Sequence, residues 1–551
     1  MAANAEPGSA NTVFQAFTRA ASQHGSRPFL EIVADTAARY DIEPGILTYA
    51  EALHAVRSAA DAFSSAGISG GERVALLLGN TPECFIHWLA LNLLGASVVP
   101  LNPDWRAGEL EYALSHSEAR LAVARTQWRA RLADAAARVA LPPAVVTPEE
   151  LPQLKLARDR ETAAQIAADV HSECALLYTS GTTGEPKGCV LPNEYFLSAG
   201  RWYAQLGELA SIRTGAERLI TPLPMHHMNA MAFSSMVMLL SGGCIVPLDR
   251  FHPESFWPSV RASRATILHY LGVMPAMLMQ FPASSTDTHH GLRFGFGAGV
   301  SARQHAAFEA RFGFPLLEAW AMTETGAGAA IIAHREPRKC GTACFGRPGS
   351  RIDVRIIDDA GQDAADDAPG ELLVRSAGSA PRRGFFAGYL KNAPATEEAW
   401  RDGYFHTGDI VSRDPDGYLH FIDRKKNVIR RSGENISAVE VEGVILQHDG
   451  VAAVGVAAVP DALRGDEVLA LIVRRDGLTG EHAAGLAYSI VEFCLERLAY
   501  YKAPGYVAFC EDLPVTATQK IQRQKLRELA LTLHARGECV DKHEASPGMM
   551  R

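Results

Sequence analysis

Short apolar runs alternate with amphipathic segments through most of the first 340 or so residues, and no other feature constrains the fold as much. Residues 73–78 and 96–101 read as strands, with 82–94 a helix between them. Residues 170–178, 219–222, 243–247 and 266–271 are further apolar runs separated by helical patterns. Strands apolar on both faces and joined by helices predict parallel sheets covered by helices. Around 341–403 the pattern changes to short strands, such as 353–357 and 371–376, broken by Gly, Pro and Asp turns. That predicts a smaller antiparallel β region. The charged cluster Asp423-Arg424-Lys425-Lys426 follows a strand-like 418–422 and precedes an α+β pattern that runs to about residue 533, which marks a candidate hinge. The expected fold class is therefore α/β. A large domain, residues 1–422, holds the parallel helix-covered sheets and the small β region; a smaller α+β domain spans 423–551. Residues 141–169 read as a surface connection, and 542–551, which lack an apolar pattern, as a disordered end.

A net charge of −9 gives no basic field for a nucleic-acid backbone, so a nucleic-acid partner is not expected. Nine cysteines, an odd and sparse number for this length, fit reduced thiols in a cytoplasmic protein rather than a bridged secreted one. Met1–Asn11 lacks the basic-then-apolar order of a signal peptide. Residues 84–101 and 219–248 are apolar, but they carry His87, Asn92, Pro222, Pro224, His226, His227 and Asn229. Such polar and helix-breaking content suits a buried protein interior better than a bilayer, so no transmembrane segment is expected.

The most informative segment is Leu176-Leu177-Tyr178-Thr179-Ser180-Gly181-Thr182-Thr183-Gly184-Glu185-Pro186-Lys187-Gly188. An apolar strand ends in a loop rich in hydroxyls and glycines, with one lysine. Glycines let backbone amides turn toward an anion, hydroxyls donate hydrogen bonds, and lysine adds a formal charge. A polyphosphate is the expected ligand; the alternative is a plain exposed Gly/Thr turn. The segment is not the P-loop of kinases and ATPases, because Gly184 is followed by Glu185-Pro186 and Lys187 by Gly188.

This segment resembles the phosphate-binding signature of the acyl-adenylate-forming superfamily, which includes acyl-CoA synthetases, beetle luciferases and peptide-synthetase adenylation domains. The resemblance runs in order from about residue 47 to 526. Leu47-Thr48-Tyr49-Ala50-Glu51 and residues 95–103 look like the early motifs, and Ala319-Trp320-Ala321-Met322-Thr323-Glu324 resembles the Gly-Tyr-Gly-Met-Thr-Glu box. Tyr404-Phe405-His406-Thr407-Gly408-Asp409, residues 417–433 and Thr518-Gln519-Lys520-Ile521 match later boxes.

The resemblance implies a set of roles. Thr179, Ser180, Gly181, Thr182, Thr183, Gly184 and Lys187 would hold the phosphates of ATP. Gly297, Ala298, Gly299, Glu318, Ala319 and Trp320 would surround adenine, Trp320 offering an aromatic face in place of the family's tyrosine. Thr323 would donate to the α-phosphate, and Glu324 would hold Mg²⁺, which favours one or two carboxylates plus phosphate oxygens. Asp409, acceptor-only when ionised, would take the ribose hydroxyls, with Arg424 the second ribose contact. Lys520 would bridge the carboxylate and ATP during adenylation. His227 belongs to a histidine box beside the acyl site, with Asn229, Ala230 and Phe233 lining the pocket; a core histidine is the alternative, and no Cys/His spacing nearby favours a metal. Eight of the twelve methionines fall between Met225 and Met279, which suits an irregular apolar cavity. Asp423 would be the hinge of a mobile C-terminal domain, with Gly433 and Glu434 facing the CoA channel.

The expected function is ATP-dependent activation of a small-molecule carboxylate to acyl-adenylate with release of pyrophosphate, followed by transfer to CoA. The region 223–280 loosely resembles carnitine/crotonobetaine–CoA ligases. Three other readings stand beside it: an enzyme loading a separate carrier protein, a luciferase-like oxygenase, and a non-catalytic nucleotide-binding regulator. The oligomeric state is left open by the sequence, a homodimer among the options.

Overall fold

The computed structural model describes residues 10–156, 167–179, 186–300, 304–358, 360–424, 428–432, 434–475, 483–514, 521 and 523–542. The chain divides into two compact units. The larger comprises 1–103, 111–178 and 188–423; the smaller comprises 104–110, 179–187 and 424–551.

The larger unit is built on three sheets. An eight-stranded sheet has the order Ile331–Ile332, Leu316–Trp320, Phe294–Ala298, Ile267–Leu271, Arg218–Thr221, Cys244–Pro247, Pro28–Ile32, Gly45–Thr48. Its six inner strands pair parallel, and each end is closed by an antiparallel strand. A seven-stranded sheet runs Gly388–Tyr389, Lys187–Pro192, Glu173–Thr179, Ser97–Pro100, Arg73–Leu77, Leu121–Ala124, Ala144–Val146. The five strands from Glu173–Thr179 to Ala144–Val146 are parallel. The third sheet, Cys344–Gly346, Leu419–Arg424, Tyr404–Arg413, Gly370–Ser376 and Ile352–Ile357, carries antiparallel pairings.

The parallel sheets, the helix Pro82–Leu93 and the antiparallel region are those expected from the apolar pattern. Two details differ. The β region continues past residue 403, because Tyr404–Arg413 and Leu419–Arg424 are two of its strands. Residues 141–169 are also more than a connection: Ala144–Val146 pairs parallel with Leu121–Ala124 and forms the sheet edge. Three residues after two prolines are too short a run for the apolar pattern to register.

The two apolar stretches fold as interior. The first is a helix leading into the strand Ser97–Pro100; the second is a strand, a π-helical turn, the helix Ser235–Ser241 and another strand. Among the described residues no helix is long and apolar enough to cross a membrane. The early motif Leu47–Glu51 is a helix start. Thr48 Oγ1 accepts from Glu51 N at 3.2 Å, and Glu51 Oε2 accepts from Thr48 N at 2.8 Å, the reciprocal cap of the helix Tyr49–Ala66. Tyr49 is wholly buried, its hydroxyl 2.9 Å from the carbonyls of both Met238 and Gly243.

The smaller unit holds a mixed sheet, Glu434–Ser437, Val428–Arg431, Gly465–Arg474, Tyr506–Phe509 and Val540–Asp541, with Val451–Asp461 paired to Gly465–Arg474. The helix Arg523–Ala535 buries Leu526 and Ala530 against Val459, Leu469 and Leu471.

Candidate active site

In parallel sheets ligands gather beyond the carboxyl ends of the strands, where backbone groups lack ladder partners. Thr179, Ala298 and Trp320 are each the last residue of such a strand. The motifs singled out in the sequence therefore follow strands for a topological reason.

Gly297 and Glu318 are register partners on neighbouring strands. A side chain at Gly297 would collide with the Tyr270 carbonyl, and one at Gly272 with that of Gly299, so these strand ends approach each other only through glycine. The loop is held by Glu318, whose Oε2 accepts from Gly299 N at 2.9 Å and whose Oε1 accepts from Val300 N at 3.1 Å and Tyr270 OH at 3.0 Å. Burial pushes the Glu318 carboxyl up despite these donors. Its visible work is to shape the 297–299 segment. Ala319, the next residue, pairs with Ile332.

Trp320 and Asp409 meet. The indole Nε1 donates to Asp409 Oδ2 at 2.8 Å, with Trp320 6% exposed and Asp409 fully buried. Asp409 sits where the pairing of Gly370–Ser376 with Tyr404–Arg413 shifts register. Gly408 takes φ +69° there, and Thr407 Oγ1 accepts from Asp409 N at 3.0 Å while donating to Leu372 O at 2.7 Å. The bulge aims the carboxylate inward. The indole N–H as a partner for Asp409 is not visible in the sequence, because 89 residues separate the two.

Glu324 is 8% exposed, and Tyr389 OH donates to its Oε1 at 2.9 Å. Tyr389 arrives through the antiparallel pairing of Gly388–Tyr389 with Lys187–Pro192, and Phe386 N donates to Glu324 O at 2.9 Å. Burial, and then the neighbouring Glu324, hold the Tyr389 phenol far above its usual range, so it stays a donor. Sequence reasoning missed Tyr389; only the Gly-Tyr pair in 386–390 hinted at it. The turn itself is closed by Thr325, whose Oγ1 accepts from Met322 N at 2.9 Å. Thr323 is half-buried and makes no side-chain hydrogen bond among the described residues, which leaves its hydroxyl for a ligand. A Mg²⁺ ion fits this donor set: Tyr389 occupies one Glu324 oxygen, and the other has no protein hydrogen bond among the described residues.

His226 and His227 lie together, ring centroids 4.5 Å apart, both half-buried. Asn229 opens a π-helical turn, Asn229–Ser234, that periodicity did not predict. Ala230 is 1% exposed, and Phe233, also buried, packs on Trp202 at 5.3 Å and Phe296 at 5.8 Å.

Lys187 opens its strand, Glu434 opens Glu434–Ser437, and Asp423 and Arg424 close Leu419–Arg424. Ser180, Gly181, Thr182, Thr183, Gly184, Gly433 and Lys520 lie outside the described residues, as do the side chains of Asp423 and Arg424.

Comparison with known proteins places the chain in a family. The family model "AMP-binding enzyme" matches residues 17–390, and "AMP-binding enzyme C-terminal domain" matches 440–520. The chain is 31% identical over 493 residues to a crotonobetaine/carnitine–CoA ligase of Salmonella paratyphi A, spanning 87% of this chain and 93% of that protein. The o-succinylbenzoate CoA synthetase of Bacillus subtilis shares the fold, with a TM-score of 0.78 at 24% identity over 93% of this chain and 98% of that one. The amide bond synthetase McbA of Marinactinospora thermotolerans gives a TM-score of 0.77 at 26% identity over 93% and 99%. The chain belongs to the AMP-binding enzyme family, within the acyl-adenylate-forming superfamily that contains the acyl-CoA ligases.

Proposed function

We propose that the protein is an AMP-forming carboxylate–CoA ligase. One carboxylate oxygen attacks the α-phosphorus of ATP and pyrophosphate leaves; the CoA thiolate then attacks the acyl carbonyl and AMP leaves. Activation replaces one hard displacement by two easier ones. The observation that supports this most is the buried Trp320–Asp409 pair next in sequence to the Thr323-Glu324 turn, a ribose acceptor and a phosphate site at the strand ends. The ligase relatives do not favour the carrier-loading, oxygenase or regulator readings.

In this reading Asp409 accepts from the ribose, the 297–299 segment and Trp320 bound the base, and Thr323 donates to the α-phosphate. Glu324, steadied by Tyr389, would hold Mg²⁺, whose charge would offset that of the phosphates. Lys520, on the C-terminal domain beyond the Asp423 hinge, supplies a cation to the adenylation transition state. Gly433 and Glu434 serve the thioester half. All nine cysteines are unbridged, which supports a reducing, cytoplasmic setting.

The acid is of modest size and mainly apolar. No Lys or Arg occurs in 219–248 to balance a second charge, and methionines line the segment. Apolar pockets discriminate by about 1–3 kcal/mol per methylene, so several related acids should react. Pyrophosphate release across a panel of carboxylates, with and without CoA, tests this. Neutral-tailed acids should be active, with CoA required for turnover to thioester; a strong preference for dicarboxylates or zwitterions would contradict it.

A further inference from the structure

The segment after the paired histidines leaves regular helix geometry. Asn229–Ser234 is π-helical, and two hydroxyls follow its wider spacing: Ser234 Oγ donates to Asn229 O at 3.2 Å and Ser235 Oγ to Ala230 O at 2.8 Å. Such turns are rare and concentrate at functional sites. Against it lies His269, fully buried in the strand Ile267–Leu271 and stacked on Phe296 with centroids 4.7 Å apart. His269 Nε2 is 3.0 Å from Tyr203 OH, and Nδ1 is 2.7 Å from Asn229 Oδ1 and 2.8 Å from Ser234 Oγ.

Proton positions in this chain follow by elimination. The buried Tyr203 hydroxyl has no hydrogen-bond partner but His269 Nε2 among the described residues, so its proton goes to Nε2, which accepts. The imidazole proton is therefore on Nδ1, which faces Asn229 and Ser234 as a donor and needs an oxygen from each. Burial pushes the His269 pKa down to about 3, so the neutral form with this tautomer persists across ordinary pH. The network also settles which way the Asn229 amide points. Its oxygen is turned to His269 and its nitrogen away; the residue is half-buried, and Nδ2 makes no hydrogen bond among the described residues. Apolar side chains would fill the space behind Asn229 without the risk that attends a buried polar network. The Tyr203–His269 pair instead fixes one orientation of one amide.

We propose that Asn229 Nδ2 donates a hydrogen bond to a neutral oxygen (hydroxyl, ether or carbonyl) on the acyl chain of the substrate, and that His269 is the positioning residue that aims it. A second carboxylate is disfavoured, since 219–248 holds no Lys or Arg. This rests on the adenylation reading above and adds to it one polar point in an otherwise apolar pocket.

The test is the ratio of kcat/KM, from pyrophosphate release, between acids carrying an oxygen acceptor and their hydrocarbon parents. The probes are short and medium straight-chain acids with hydroxy, oxo and ether analogues. The wild type should prefer at least one acceptor-bearing acid by about 10-fold, the worth of one neutral hydrogen bond. Asn229→Leu should bring that ratio to about one. His269→Phe, which keeps a stacked ring but neither nitrogen, should lower it similarly. His269→Asn, whose amide nitrogen stands near the Nδ1 position, should restore most of it. A ratio of two substrates on one enzyme is unaffected by a smaller folded fraction, so instability cannot imitate the result. No acceptor preference in the wild type, or one unchanged in Asn229→Leu, overturns the proposal alone. No pyrophosphate from any acid overturns the adenylation reading and this proposal with it.

Discussion

Trp320→Phe separates two roles for one side chain. If Trp320 serves mainly as a face for adenine, phenylalanine retains most of that service. If its indole N–H orients Asp409, phenylalanine removes a 2.8 Å hydrogen bond to a buried carboxylate. Hydrogen bonds to charged groups are worth roughly 1.5–3 kcal/mol, which is about 10–150-fold in affinity. Not all of this reaches ATP, because the freed carboxylate gains some new freedom to meet the ribose, so about 10-fold weaker binding is expected. Asp409→Ala removes the acceptor itself and should cost about 10–100-fold. The decisive quantity is the double variant, with ATP affinity read by calorimetry. Two residues in contact that act through one carboxylate should be strongly non-additive. In the Asp409→Ala background, Trp320→Phe should change ATP affinity by less than about 2-fold. The preference for ATP over 2′-deoxy-ATP should shrink in both single variants. Additive losses, or an unchanged 2′-deoxy preference, would refute the reasoning and return Trp320 to a stacking role.

Other expectations follow from the same geometry. Tyr389→Phe removes the donor to Glu324 Oε1 and should raise the Mg²⁺ concentration for half-maximal pyrophosphate release by about 10–100-fold, with KM for the carboxylate little changed. Lys520→Ala should slow pyrophosphate formation by about 10²–10³-fold yet still convert supplied acyl-adenylate and CoA to thioester, whereas a bulky residue at Gly433 should do the reverse. Equal slowing of both halves by Lys520→Ala would contradict that division. Burial raises the Glu309 carboxyl, but Arg338 and His305 outweigh it and lower its pKa to about 2. The folded value lies below the unfolded one, so the stabilisation is complete above about pH 4.5 and is lost as pH falls toward 2. Arg338→Met should therefore shift acid unfolding, followed by circular dichroism, to higher pH.

The parallel sheets were legible because strands buried on both faces must be continuously apolar, as at Arg73–Leu77 and Ile267–Leu271. The candidate site could be proposed from motifs because these directly follow such strands, Thr179 and Trp320 being strand ends. What the sequence hid were contacts made by topology. Tyr389 reaches Glu324 only because a two-residue strand pairs with Lys187–Pro192. His269 looks like one more residue in an apolar strand until the fold sets it against Asn229. The π-helical turn was invisible because hydrophobic periodicity over six residues does not separate it from α-helix. Glu318 stands beside the Trp320 box as a candidate nucleotide contact, and its acceptance from the amides of Gly299 and Val300 is a contact that no motif announces.

The central claim is that a substrate carboxylate oxygen bonds to the α-phosphorus of ATP. Incubation with ATP, CoA and a reactive acid labelled with ¹⁸O in both carboxylate oxygens, followed by mass spectrometry of the products, tests it directly. The bridging oxygen of an acyl-adenylate stays with phosphorus when CoA takes the acyl group. AMP should therefore gain a single ¹⁸O, with pyrophosphate unlabelled and the thioester keeping the other label. Unlabelled AMP, or label appearing in phosphate alongside ADP, would contradict the account.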